Sequence, residues 1–197
     1  MTAGWSAPRA GRAGRPLRAR AAGAALLAAL TLVALTLAGC GTAGYGAPVA
    51  PASMSISSEA FVSGMLAQRY TCHGAKTNPP LNWSGAPAGT KSLALIVDDS
   101  SAPITPTIYW LVFDINPGAT DIQEGALPTG ARQALNSAGT ATYDAPCPRG
   151  RPHSYRFTIY ALNTALKLPT GAPLQTVWTA IAAATIGRGR IVVTGNP

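Results

Sequence analysis

The sequence predicts an all-β fold for the chain beyond about residue 53. Apolar segments there are short and punctuated by Gly, Pro and Asn, the pattern of strands separated by turns. Two of them, 92–98 (SLALIVD) and 108–115 (IYWLVFDI), are continuously apolar, which implies strands covered on both faces. Two further strands are expected at 153–162 (HSYRFTIYAL) and, shorter, at 190–194 (RIVVT). One helix is expected, over 173–185. There Leu174, Val177, Trp178 and Ile181 follow the i, i+3, i+4, i+7 spacing, with Gln175, Thr176 and Thr179 opposite. Pro173 suits its first position, and the polar face places the helix outside the sheets. The Pro- and Gly-bearing stretches 117–130 and 136–152 read as loops, and loops this long inside a compact domain are usually functional or disordered.

Ahead of this region stands a leader. Arg9, Arg12, Arg15, Arg18 and Arg20 precede an unbroken apolar and small-residue run over 21–37, as a secretory signal requires. Leu37-Ala38-Gly39-Cys40 closes it and resembles the lipobox of bacterial lipoproteins, in which the cysteine is acylated and becomes the mature N-terminus. The expected organisation is a lipoprotein signal peptide over 1–39, a flexible uncharged tether over 40–52 from lipidated Cys40, and one domain over 53–197. The alternative is an ordinary signal or an N-terminal anchor helix with an incidental cysteine. No second long apolar run follows Cys40, so acyl chains of the palmitate class would hold the domain to the extracytoplasmic face of the bacterial cell membrane.

Removing the leader lowers the net charge from +8 to +3, ten cations against seven anions. The basic excess is largely a targeting signal. Nucleic-acid binding is excluded, because no stripe of Lys and Arg interleaved with aromatics remains. Cys72 and Cys147 are left in an oxidising compartment, where a disulfide between them is expected; the alternative is two separate buried thiols.

Two segments carry candidate chemistry. On a strand, His153, Tyr155, Phe157 and Ile159 share one face, polar where the strand begins beside the Pro-stiffened loop 143–148. Such a start suits an anion or head-group pocket, or simply a histidine bonded to a loop carbonyl. Asp98-Asp99-Ser100-Ser101 follows an apolar strand. Its carboxylates are placed to meet a ligand or orient His153, or else to satisfy local backbone N–H groups in a turn. His73 has no second histidine or paired thiolate at metal-ligand spacing, so no metal site and no cofactor are expected. Trp83, Trp110 and Trp178 read as packing residues.

Five ordered pieces are similar to the phosphatidylethanolamine-binding protein family, in its bacterial Raf-kinase-inhibitor-like branch. They are Tyr70-Thr71-Cys72-His73-Gly74, Pro79-Pro80-Leu81-Asn82-Trp83, Asp99 with Ala102-Pro103, Ala145-Pro146-Cys147-Pro148 and His153-Ser154-Tyr155-Arg156-Phe157. The resemblance spans about 54–195. It implies a β-sandwich of two antiparallel sheets with a few peripheral short helices, and a small anion or phospholipid-head-group pocket at one end. It also implies pocket roles for Asp99, Ala145, Pro148, His153 and Tyr155. Tyr109 stands where the family commonly has a histidine, Ser101 replaces an Asp, and Ala145 replaces a Gly. Thr185-Ile186 stands where the bacterial branch usually has Gly-His. The implied function is a membrane-anchored, non-enzymatic binding module. Alternatives are inhibition of a partner protease or kinase through the pocket rim, and a hydrolase using Asp99, His153 and Ser101, for which no Gly-x-Ser-x-Gly elbow exists.

Overall fold

The computed structural model describes residues 50–101 and 105–197. The expected signal peptide, Cys40, most of the tether, and Ala102 and Pro103 lie outside these residues. The described chain is mostly β, with two sheets and one α-helix. Its strands are β1 (Ala52–Ser53), β2 (Ser55–Ser57), β3 (Leu81–Ser84), β4 (Ser92–Asp99), β5 (Thr107–Ile115), β6 (Asp121–Ile122), β7 (Arg132–Gln133), β8 (His153–Leu162) and β9 (Thr185–Gly195). The helix α1 spans Leu174–Ala184.

A six-stranded sheet runs β1-β9-β8-β4-β5-β7, and a three-stranded sheet runs β2-β3-β6. All pairs are antiparallel except β1 with β9. The sheets share one apolar cluster. Leu81, Trp83 and Ile122 of the small sheet pack with Leu93, Leu95, Val97, Phe157, Ile159 and Val193 of the large one. The other face of the large sheet is covered by α1, whose Val177, Ile181 and Ala184 meet Ala94, Ile96, Leu111 and Phe113. With both faces of β4 covered, every one of its residues is buried, which accounts for its unbroken apolar run.

Three of the expected elements sit within a residue of their predicted bounds. Pro173 differs slightly: it is the residue before the helix, and α1 begins at Leu174. Strand β9 is longer than the expected 190–194. Its first half, Thr185-Ile186-Gly187-Arg188-Gly189, lacks large apolar alternation because other chain segments cross it closely. A Cβ on Gly189 would lie 2.6 Å from the Met54 carbonyl oxygen, and one on Gly187 would lie 2.8 Å from Pro87 Cδ. Here glycine marks close approach and not a break in the strand.

Two β-bulges interrupt the β4–β5 ladder. Between Val97↔Trp110 and Asp98↔Ile108 the extra residue is Tyr109. Between Leu93↔Ile115 and Leu95↔Val112 the strand contains Asp114 at φ 53°. That carboxylate accepts the backbone N–H groups of Leu166 (2.7 Å) and Lys167 (3.0 Å), tying the β8–α1 connection to the sheet.

Candidate functional site

Consecutive strand residues face opposite ways, and this separates the two adjacent carboxylates at the end of β4. Asp98 pairs with Arg156 on the α1 side, its Oδ2 accepting Nε at 2.8 Å and a second bond from Nη2. Asp99 turns to the other side. Its Oδ2 lies 2.6 Å from His153 Nδ1 and its Oδ1 accepts the Ser101 N–H at 2.7 Å. The two sequence readings of this segment therefore coexist in one side chain: one oxygen closes a turn while the other orients an imidazole. An ionised carboxylate only accepts, so Nδ1 donates and Nε2 is the ring nitrogen left for other partners.

Register brings in the next ring. Asp99 stands opposite Tyr155 on β8, and His153 and Tyr155, two residues apart, share a face. Their rings are nearly parallel, 17° apart with centroids at 6.2 Å. Tyr155 is fully buried, and its hydroxyl has no hydrogen-bond partner among the described residues. Such an orphan is costly inside a protein, by about 1–3 kcal/mol, so packing alone does not account for a phenol at this position.

Tyr109 joins through the bulge. A regular β5 would alternate Tyr109 and Trp110 to opposite faces; the extra residue lets both pack against the same core cluster. The Tyr109 ring meets Tyr155 edge-on, at 5.7 Å and 82°. Its carbonyl accepts the Asp144 N–H at 2.9 Å, which fixes the loop that carries Ala145. Pro148 arrives from the same loop. A Cβ on Gly195 would lie 2.6 Å from Tyr155 Cε2 and 3.6 Å from Pro148 Cγ, so proline and ring converge over a residue with no side chain. Ala145 and Pro148 are both buried, whereas Arg149 and Arg151 are exposed. Arg156, by contrast, is committed to Asp98.

The loop is held at its base by the Cys72–Cys147 disulfide, with Cα atoms 5.1 Å apart. Cys72 N–H also donates to Pro146 O at 3.0 Å, and Tyr143 Oη donates to Tyr70 O at 2.9 Å. Thus the first and fourth family-like pieces, 75 residues apart, are one structural unit. His73 is not isolated as its sequence setting implied: it lies beside both cysteine sulfurs.

Sequence reasoning did not single out Gly195 or a positioning role for Ser101. Ser101 Oγ accepts the Ser154 N–H at 2.8 Å and so binds the Asp99 turn to the start of β8. A small hydroxyl residue two positions after an aspartate was the only signal available for it. For Gly195 a glycine ending an apolar strand was the cue.

Burial raises the pKa of Tyr155, Tyr109 and Tyr143, and the negative charges of Asp99 (for Tyr155 and Tyr109) and Asp144 (for Tyr109 and Tyr143) add to it. All three phenols therefore stay protonated donors at neutral pH. A folded pKa above the unfolded value of about 10 gives stability that is complete below that pH and lost as pH rises through the folded value. Urea unfolding midpoints are expected to be flat near neutrality and to fall above about pH 10. Tyr155→Phe should flatten that alkaline fall; an unchanged slope would mean this phenol ionises equally in both states.

Comparison with known proteins places these features in context. A family model described as phosphatidylethanolamine-binding protein matches residues 57–196. A UPF0098 protein of Methanothermobacter thermautotrophicus is 39% identical over 145 residues, covering 71% of this chain and 96% of that protein. LppC of Mycobacterium tuberculosis, designated a candidate lipoprotein, is 41% identical over 150 residues, covering 74% of each chain. Among solved structures, Escherichia coli YbcL, described as a member of the mammalian PEBP family, superposes with a TM-score of 0.68 at 30% identity, covering 73% of this chain and 98% of its own. CT736 of Chlamydia trachomatis, described as a candidate PEBP homologue, gives 0.66 at 33%, covering 72% and 96%.

Proposed function

The chain belongs to the phosphatidylethanolamine-binding protein family, and from that premise we propose that its domain is a non-enzymatic module binding a small anion or a phospholipid head group. In this reading the two sheets are the layers of a β-sandwich and the pocket lies at one end, among Asp99, Tyr109, Ala145, Pro148, His153 and Tyr155. The observation that carries the proposal is the buried, unpartnered Tyr155 hydroxyl beside an imidazole oriented by Asp99. The Tyr155 and Tyr109 hydroxyls are able to donate, whereas both Asp99 oxygens are already engaged. A donor-rich set with its one carboxylate satisfied favours an anion such as phosphate over a cation.

Hydrolysis is disfavoured by the same geometry. An Asp–His pair is present, but Ser101 Oγ is held by the Ser154 N–H, and among the described residues no hydroxyl bonds His153 as a nucleophile would.

The test is titration with inorganic phosphate and with phosphorylethanolamine, followed through the His153 ring resonances. Saturable shifts are expected with the native chain. Tyr155→Phe should weaken binding by roughly tenfold, about the worth of one hydrogen bond to a charged group, while stability holds or rises because the orphan hydroxyl is gone. A flat titration of the native chain would sink the pocket reading.

The arginine-rich leader, the Leu37-Ala38-Gly39-Cys40 box and the similarity to LppC support a lipid anchor at Cys40, and in this reading the domain stands outside the cytoplasmic membrane. Cys40→Ser is expected to abolish palmitate incorporation and move the protein from the membrane to the soluble fraction. Retention of both label and membrane location would argue for another anchor.

A further inference from the structure

We propose that the outer face of β8 and β9 docks flat on an anionic phospholipid bilayer, the surface to which an anchor at Cys40 ties the domain. The proposal rests on that lipid-anchor reading and is independent of the pocket. Helix α1 covers the β4–β5 part of this sheet face and leaves the β8–β9 part open. Register sets the open part out in cross-strand pairs: Arg156↔Val192, Thr158↔Arg190 and Tyr160↔Arg188. Along β9, Arg188, Arg190 and Val192 are all exposed, Val192 by 53%. Residues two apart on a strand share a face, so these three form a row roughly 13 Å long.

The charge of this face has one sign. Neither β1, β8, β9 nor α1 contains an acidic residue. Asp98, on the neighbouring strand β4, is taken by Arg156. Arg190 Nε donates to Thr158 Oγ1 at 2.9 Å, a neutral partner that fixes the guanidinium without cancelling its charge. Among the described residues neither Arg188 nor Arg190 has a carboxylate within ion-pair distance. A groove of about 300 Å³ lies beside Arg188, lined also by Pro51, Ile96, Tyr160, Trp178 and Ile181. Tyrosine, tryptophan and arginine around an apolar floor suit a lipid head-group layer, because their apolar bodies bury while their polar tips stay wet.

Position decides the occupant. In β1, Ala52 pairs with Gly187 and Ser53 with Arg188, so the chain from the anchor joins the domain beside Arg188. Pro51 lines the groove itself. Ala52 lies twelve residues after Cys40, a reach of at most about 40 Å. The anchor therefore holds the β1–β9 edge of the large sheet, and not its β7 edge, next to the bilayer. It also makes the encounter intramolecular, so a weak contact suffices; each arginine contributes about fivefold on an anionic leaflet. His153 and Tyr155 belong to the other face of β8, so docking leaves the candidate pocket uncovered.

The experiment uses the native chain as isolated from membranes, with acylation of Cys40 read by mass spectrometry, seated in nanodiscs of phosphatidylglycerol or of phosphatidylcholine. A soluble gadolinium chelate is titrated in, and methyl relaxation is followed at Val192 and at Leu127. Leu127 is exposed and shares a cavity lining with Gln133 of β7, at the opposite sheet edge. In phosphatidylglycerol the enhancement at Val192 is expected to fall severalfold relative to phosphatidylcholine, with Leu127 unchanged, and about 0.5 M salt should reverse the fall. Arg188→Gln should lower the docked-to-free ratio about fivefold, and Arg188→Gln with Arg190→Gln about 25-fold. Val192 equally open in both lipids, or protected in the double variant as in the native chain, would overturn the proposal. Equal protection in both lipids would overturn it too, and would assign the face to a second copy or another protein. A chain found unacylated at Cys40 is read in the same way with phosphatidylglycerol nanodiscs in excess, so the anchor and the docking face fail separately.

Discussion

Replacing both Cys72 and Cys147 with serine is expected to lower stability by about 2–4 kcal/mol. The bridge joins residues 75 apart in sequence, and closing so long a loop in the unfolded chain is what makes it worth this much. Double substitution is the cleaner test, because a single change leaves an unpaired thiol. Denaturant titration of the two proteins should show the midpoint shift with little change in native secondary structure, since the strand ladders of the large sheet do not depend on either cysteine. The loss should concentrate at the loop 143–148. Hydrogen exchange at Asp144, whose N–H donates to Tyr109 O, is expected to accelerate more than exchange along β4. A shift under about 1 kcal/mol would mean that the Cys72–Pro146 and Tyr143–Tyr70 bonds already hold the loop in place.

Gly74→Ala is the second large effect. An added Cβ would stand 2.3 Å from the Gln68 carbonyl oxygen, 2.5 Å from Arg69 Cα and 2.8 Å from Arg69 C. All three are backbone atoms, so no side-chain rotation relieves the overlap. The 3-10 turn Gln68–Tyr70 must move away from the Thr71–Gly74 turn, at about 1–3 kcal/mol or more. Moving it strains the Lys76 N–H to Arg69 O bond at 3.2 Å and loosens the Arg69 and Tyr70 contacts with Glu124. The expected result is a fall of several degrees in Tm, together with weaker phosphate binding if the pocket loop follows Cys72. Gly139, which has open space around its Cβ position but φ of 79°, is a useful contrast. Alanine there should cost only the backbone penalty of about 1 kcal/mol and leave binding unchanged. Equal losses at both positions would show that crowding at Gly74 is relieved more easily than its neighbours suggest.

The site was partly legible because strand periodicity is a local property. The alternation that sets His153 and Tyr155 on one face is written in their spacing, and the register simply adds Asp99 opposite. The roles of Asp98 and Arg156 were not legible in the same way. Adjacent carboxylates look equivalent in sequence, and only the position of β8 decides that one neutralises an arginine while the other holds an imidazole. Tyr109 depended on still less local information, since a bulge is a mismatch between two strands and neither strand alone contains it.

The amino-acid order alone determined where long apolar runs become β4, β5 and β8, and where α1 falls. Each follows from burial of side chains at fixed periods along one segment. Pairing across the chain decided everything that needs two segments: the short strands β1, β2, β3, β6 and β7, the glycines of β9, the Tyr109 bulge and the seat of His73. A two-residue strand has too little apolar surface to announce itself. It exists because a neighbour supplies the hydrogen bonds and the shared core covers its face, and those partners are distant in sequence.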